Sequence, residues 1–231
     1  PLNDFDGKNL VYLTSCTGVN LEAVKLLFTA QNSVYAANAV EEEIVATSAI
    51  ESIDFDRSSV RSIMLGNAPK DNQENRIYGL KLGFEFISDR HNHITEENIH
   101  KLYMMAIGNF LEGDDRLRDG EFYRHDDVYV AGGDGVVHRG IGSGKLPGYM
   151  KQFVDFANAD DGINDLLKAA MLHFDIAYLH PYFDGNGRMA RLLHMWFLIQ
   201  KGYGSTLFVP MSSYIEKSRG KYYDAYTLVE N

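Results

Sequence analysis

One cysteine in 231 residues, Cys16, leaves no partner for an internal disulfide and too few thiols for a cysteine-rich zinc site. It is read as a small buried hydrophobe, in a chain that suits a reducing, cytoplasmic setting. Basic charge is also scarce. Twenty-two Lys and Arg face 32 Asp and Glu, a formal net charge of −10, which argues against a broad nucleic-acid-binding face. Long apolar runs are missing too: the most apolar stretch, Leu192 to Ile199, is interrupted by His194 and bounded by Arg191 and Lys201, too short to span a bilayer. The opening residues PLNDFDGKNL have no charged-then-apolar leader pattern. No membrane and no nucleic acid is therefore expected as a partner.

What the chain does have is apolar side chains, 45% of it, enough for one sizeable core. Helical periodicity carries most of them. From Leu21 to about Glu51 no Pro or Gly intervenes, and Leu21, Val24, Leu27, Phe28, Val34, Tyr35 and Ala37 share a face. A second pattern runs from about Asn72 to Ile87 despite two glycines, and Thr95 caps a third, with Glu96 and Glu97 at its positive end. Glycines then crowd between about 113 and 148. There Val128, Val130, Val136 and Val137 flank Gly132-Gly133-Asp134-Gly135, a β-hairpin signal. From Ile163 a stripe of Ile163, Leu166, Leu167, Ala170, Met171, Phe174, Ala177 and Tyr178 predicts a helix that runs directly to His180.

At His180 the sequence becomes HPYFDGNGRMAR. Pro181 ends the helix and leaves the His180 ring in a loop. Gly185 and Gly187 flank Asn186 and allow backbone conformations and close approaches that other residues resist. A buried helix, RMARLLHMWFLIQ, follows. A Gly-rich turn opening a helix is an anion site, because free N–H groups and the helix dipole converge there. Arg188 and Arg191 lie three apart and share a face, so they suit a di- or triphosphate better than a single phosphate. Asp184 is a hard oxygen ligand for a magnesium ion bridging phosphates, and His180 titrates near neutrality, as a general base requires.

These twelve residues resemble the signature of the Fic family, His-Pro-Phe-x-(Asp or Glu)-Gly-Asn-Gly-Arg-x-x-Arg, with Tyr182 in place of phenylalanine. The resemblance runs from about Glu42 to Tyr223. Asn75 to Ala106 is similar to the family's paired helices, and Val128 to Ile141 to its target-docking flap, with Val128, Tyr129 and Val130 on the docking strand. Met211 onward is similar to its closing helix. The resemblance implies a mostly α, Fic-type helical domain with a small β-hairpin flap, residues 71–231, preceded by a helical region, 1–70, that forms one compact unit with it. It further implies that AMP passes from ATP to a Tyr, Ser or Thr hydroxyl of a target protein, with Mg2+ and release of pyrophosphate. His180 would be the base, Asp184 the magnesium ligand, and Gly185, Asn186, Gly187 and Arg188 the phosphate-binding residues. Arg191 would hold the γ-phosphate.

Thr47-Ser48-Ala49-Ile50-Glu51-Ser52 resembles the family's inhibitory motif, (Ser or Thr)-x-x-x-Glu-(Gly or Asn), with Ser52 at the last position, so Thr47 and Glu51 are expected to restrain Arg191. Removal of AMP on the same scaffold and a nucleotide-binding regulatory module are the alternatives, and homo-oligomerisation is left open. Other features read as structural: His173 as scaffold, His91 and His93 as loop residues, Trp196 as core, and Glu41 to Glu43 as a solvated helix face. Gly140-x-Gly142-x-Gly144-Lys145 lacks P-loop spacing and is read as a flexible loop.

Overall fold

The computed structural model describes residues 33–53, 55–132 and 135–230. They form helices α1 (Ser33–Ile50), α2 (Arg57–Met64), α3 (Asn72–Ser88), α4 (Glu96–Ala106), α5 (Leu146–Asn158), α6 (Asp165–Leu179), α7 (Asn186–Gln200), α8 (Met211–Lys217) and α9 (Arg219–Glu230). Between α4 and α5 a hairpin pairs β1 (Tyr129–Gly132) with β2 (Gly135–Arg139), antiparallel, with a bulge between Val130 and Ala131. The mostly α fold with one small hairpin is the one expected from sequence. Cys16, Leu21, Val24, Leu27, Phe28, Gly133 and Asp134 lie outside the described residues.

Local chemistry sets the helix starts. Asp71 accepts from Glu74 N at 2.8 Å, while the Glu74 carboxylate accepts from Lys70 N at 2.9 Å, so both ends of that first turn are satisfied. Thr95 accepts from Asn98 N at 3.2 Å and opens α4. The two glycines of α3 are there for space: a Cβ at Gly79 would meet the Phe110 ring at 2.1 Å, and one at Gly83 would meet Ala106 Cβ at 3.1 Å.

The centre of the fold is the antiparallel pair α6 and α7, with α3 and α4 packed against α7 and its neighbours. Nearly every side chain of α7 from Met189 to Ile199 is buried, Trp196 completely, and the Trp196 Nε1–H donates to Asn92 O at 2.9 Å. The stripe expected on α6 is not its core face. The buried positions are Lys168, Ala169, Leu172, His173, Ile176 and Leu179, whereas Leu166 and Tyr178 are exposed. A helix apolar on two faces satisfies the period in two registers, and here polar partners decide. Lys168 Nζ reaches Ala159 O at 2.7 Å and Asp161 at 3.0 Å, and His173 Nε2 lies 2.7 Å from the Tyr222 hydroxyl. The other face is half covered by α9, with Phe174 stacked on Tyr226. His173 is the scaffold residue expected; burial pushes its pKa down to about 3.

Two further expectations are corrected. Glu41 to Glu43 is not a solvated face: Glu42 pairs with Arg57 at the surface, but Glu43 is 2% exposed and accepts from both Ser212 N, at 2.8 Å, and Ser212 Oγ. A carboxylate thereby caps α8, whose own cap residue, Pro210, offers no side-chain acceptor. The glycine segment at 140–145 is not a loose loop. A Cβ on Gly140 would meet an Arg124 nitrogen at 2.7 Å and His180 Cβ at 3.1 Å, and residues 143–145 form a 3₁₀ turn that leads into α5.

Burial alone raises the Glu43 pKa, and the two bonds from Ser212 oppose that rise. Ser212→Ala removes one of them and should cost about 1–3 kcal/mol, the range for a buried acceptor left short of a donor. Urea unfolding of the variant and the parent measures it; an unchanged midpoint would mean that the carboxylate finds another donor.

Candidate active site

Helix α6 ends at Leu179, and His180 takes a left-handed conformation, φ 51°, as its C-cap. Such a backbone in a non-glycine residue costs about 1–2 kcal/mol and needs support. Arg124, 2% exposed, supplies it: Nε donates to His180 O at 2.7 Å, one terminal nitrogen to Asp126 O at 2.6 Å, and the other to Ile141 O. The Arg124 main-chain N–H also donates to Pro181 O at 2.9 Å. Sequence reasoning missed Arg124, because an arginine that spends two of its donors on carbonyls distant in the chain leaves no spacing to read.

The His180 ring is set by its own helix. Nδ1 lies 3.1 Å from Ala177 O, an acceptor only, so Nδ1 carries the proton and Nε2 presents its lone pair. Burial, then the charges of His138 and Arg124, lower its pKa from the ordinary value against the opposing Ala177 bond and Glu51. The result is a neutral imidazole at neutral pH.

Beyond it the turn is closed by Asn186. Its side chain accepts from Tyr182 N at 3.0 Å and donates to Tyr182 O at 2.8 Å, so the buried amide shapes the turn from inside. Tyr182 is fully buried and stacked on Tyr103, ring centroids 3.6 Å apart; among the described residues its hydroxyl has no hydrogen-bond partner. Gly185 takes φ 86° at the start of α7, where no side chain caps the helix, so the first N–H groups of α7 stay open to an anion.

Asp184 accepts from Gly185 N at 2.6 Å and pairs with Arg188 at 2.8 Å; its side chain is 46% exposed while that of Arg188 is 6% exposed. The Arg188 Nε–H is buried with no partner among the described residues. Ile107, Arg76, Phe110 and Ile53 line a shallow pocket beside this pair.

Arg191 is 1% exposed and faces α1. Its Nε donates to Thr47 Oγ1 at 2.7 Å, and a terminal nitrogen donates to the Glu51 carboxylate. Glu51 itself lies just past the last turn of α1. Ser52 takes φ 58°, the conformation for which Gly or Asn is better suited, and it is held by Ser52 N to Ala49 O at 3.1 Å and Ile53 N to Ser48 O at 2.9 Å. Gly187 is helical, so its role is space rather than backbone freedom: a Cβ there would lie 2.4 Å from Glu51 Oε1 and 3.3 Å from an Arg191 nitrogen.

The hairpin sits over the same turn. Gly140 N donates to Val128 O at 3.2 Å and Ile141 N to Leu179 O at 3.3 Å, which moors its base next to His180. Val128 and Val130 are half-buried and Tyr129 is exposed, under the Arg139 guanidinium. The structure thus brings together His180, Asp184 to Arg188, Arg191, Thr47 and Glu51, with residues 128–130 alongside.

A histidine at the end of one helix, an uncapped helix start with two buried guanidiniums, and a hairpin beside them meet in one site of a helical domain. Residues 93–198 match the model of the Fic/DOC family. The chain is 30% identical over 172 residues to the protein adenylyltransferase Fic of Drosophila willistoni, covering 72% of this chain and 31% of that protein. Its namesake in Culex quinquefasciatus is 29% identical over 174 residues, covering 73% and 32%. The chain spans about a third of the length of these curated relatives. Among solved structures, a Fic family protein from Desulfovibrio desulfuricans superposes with a TM-score of 0.70 at 19% identity, covering 87% of this chain and 59% of that one. A Fic domain containing signaling protein from Bacteroides thetaiotaomicron gives 0.68 at 23% identity, covering 79% and 72%, and both show the fold. This chain carries a domain of the Fic/DOC family.

The space at Gly187 generates a stability test. Gly187→Ala forces Glu51 from its place and should destabilise by about 1–3 kcal/mol. In a Glu51→Gly background the methyl group has room, so the same change should cost much less. A double-variant cycle by urea unfolding reads the coupling; equal costs in both backgrounds would show that Glu51 does not occupy this space in solution.

Proposed function

We propose that this chain transfers AMP from ATP to a Tyr, Ser or Thr hydroxyl of a protein target, releasing pyrophosphate, and that Glu51 restrains the reaction. The observation that carries this reading is the neutral His180, whose Nε2 has no hydrogen-bond partner among the described residues, beside an uncapped helix start equipped with Arg188 and Arg191. Phosphate binding alone has no need of a base there. In the reaction the acceptor hydroxyl gives its proton to His180 Nε2, its oxygen bonds to the α-phosphorus, and the bond to the pyrophosphate oxygen breaks. Amides of residues 186–188 and the unpaired Arg188 N–H would receive the phosphate charge. The strand containing Val128, Tyr129 and Val130 would align a target segment by main-chain pairing. Residues 1–70 would then be the region that carries the restraint, and 71–231 the transferring core.

Among the described residues no three His, Cys, Asp or Glu side chains gather as a metal site. The half-exposed Asp184 fits a magnesium ion that arrives with the triphosphate, since magnesium commonly takes one or two carboxylates and draws its other ligands from phosphate and water. When bound, such an ion supplies neutralising charge to the leaving pyrophosphate. Asp184 would hold it at the mouth of the turn.

The restraint is a competition for Arg191, because a guanidinium donating to Glu51 and Thr47 is not available to a γ-phosphate. Glu51 also borders the phosphate turn at Gly187, and this favours a second reading: its carboxylate would align a water and remove AMP from a modified protein. An AMP-modified target incubated with the chain, with released AMP measured, separates the two directions.

Glu51→Gly should raise AMP incorporation, by tenfold or more if the arginine acts as a clamp, roughly the worth of one charge-assisted bond. Combining it with Arg191→Ala should abolish the gain. Mass spectrometry of a cell lysate incubated with isotope-labelled ATP and each variant reads reaction and target together; no AMP adduct with Glu51→Gly overturns the proposed activity. His180→Ala should remove transfer while leaving ATP affinity largely intact. The low pKa of His180 sets the pH profile: the base is active when deprotonated, so transfer should hold through neutrality and fall only below the ordinary histidine value of about 6.5. An acid limb above that value would place the titration on another group.

A further inference from the structure

His138, on β2, joins the hairpin to two helices through its side chain. Its Nε2 lies 2.9 Å from Tyr178 O, in the last turn of α6, and its Nδ1 lies 2.9 Å from Glu230 Oε1, in the last turn of α9. The side chains of His138 and Glu230 are only 13% and 21% exposed. Both partners are acceptors. A neutral imidazole has one N–H, so one of its nitrogens would aim a lone pair at an oxygen within hydrogen-bond distance. The geometry closes only when both nitrogens carry protons.

We infer that His138 is a positioning residue: an imidazolium, held between the Tyr178 carbonyl and the Glu230 carboxylate, that fastens the hairpin beside His180 and ties the site to helix α9. The His138 and His180 ring centroids are 6.0 Å apart, close enough for a fixed positive charge to act on the second ring. The groups around the pair are few. Tyr178 and Ala177 come from α6, Glu230 from α9, Arg124 from the loop before the hairpin, and Glu51 from the end of α1. Arg139, next to His138, is occupied with Asp127 at 3.1 Å. Of these, His138 is the group whose charge depends on a carboxylate from another helix. Its positive charge disfavours protonation of His180, in the direction already noted for that ring. Helix α9 therefore acts on the base through an intermediate histidine, without touching it.

This inference rests on the reading of His180 as the base only for its consequence, not for its test. The full chain, labelled with 15N, is titrated by NMR through the neutral range, following the imidazole nitrogens in the parent, in Glu230→Gln and in His138→Gln. Glutamine at 138 keeps an N–H donor for Tyr178 O but no charge. The expected result is a doubly protonated His138 at neutral pH in the parent and loss of that proton in Glu230→Gln. The His180 midpoint should rise in both variants by roughly half a unit to two units, the span given by a unit charge at this distance between bulk-water and protein-like screening. Hairpin amides should also exchange faster in Glu230→Gln. A neutral His138 in the parent, or a His180 midpoint unmoved by His138→Gln, overturns the inference. If the midpoint moves as stated, the inference is supported even where no variant transfers AMP, and that second result counts against the proposed activity alone.

Discussion

The buried guanidinium of Arg124 holds three carbonyls from three separate segments, and the site exists because it does. His180, Asp126 and Ile141 would otherwise diverge after α6, before the hairpin and after it. A left-handed His180 costs about 1–2 kcal/mol, whereas a hydrogen bond from a charged donor contributes about 1.5–3, so a single bond to its carbonyl offsets the strain. Burial lowers the Arg124 pKa, and the nearest carboxylate, Asp127, is 4.0 Å away. The charge is thus held mainly by peptide dipoles. Among the described residues no carboxylate is hydrogen-bonded to the base, and the charge of Glu51, which favours the protonated imidazole, is outweighed by burial.

From this clasp the rest of the geometry follows in order. The reversal at His180 lets Pro181 and Tyr182 turn back under Asn186, and Asn186 pins Tyr182 on both its backbone groups, so α7 begins at a fixed place and angle. Its first two turns point two arginines to different partners. Arg188 turns to Asp184 at the mouth, and Arg191 turns to Thr47 and Glu51 of a segment more than a hundred residues earlier. One short helix start therefore reports both on the ligand side and on the N-terminal region.

Much of this was legible in the sequence, and the boundary is physical. Residues whose role is fixed by near neighbours were readable: the helix start at Thr95, the Pro181 stop, the paired hairpin strands and the Gly185 reversal all rest on local rules. Arg124, Glu43 and Lys168 were not readable, because each is buried by partners brought from elsewhere in the fold, and a sequence shows a charge without its counterpart. Gly187 shows the same limit more finely. Its neighbour Gly185 needs a positive φ, but Gly187 is an ordinary helical residue whose missing side chain accommodates Glu51, and only the tertiary structure reveals that a carboxylate stands there. The α6 stripe failed for another reason: two apolar faces give two valid periods, and polar partners chose between them.

Helix α1 is bolted at two places in its second half. Glu43 is locked into the start of α8, and Arg219 of α9 donates to Ala49 O in the final turn. To slide or lift this helix would strand a carboxylate, deeply buried, without its two donors. Glu51 is different. It stands past Ile50, where the helix has already ended, on a tight reversal through Ser52. On the proposed restraint, what has to move is thus small: releasing Arg191 asks for a new rotamer of one side chain past the end of the helix, not for a shift of the helix behind it. Such a catch would spare the helix but not the arginine: a guanidinium 1% exposed loses its carboxylate until another anion takes that place.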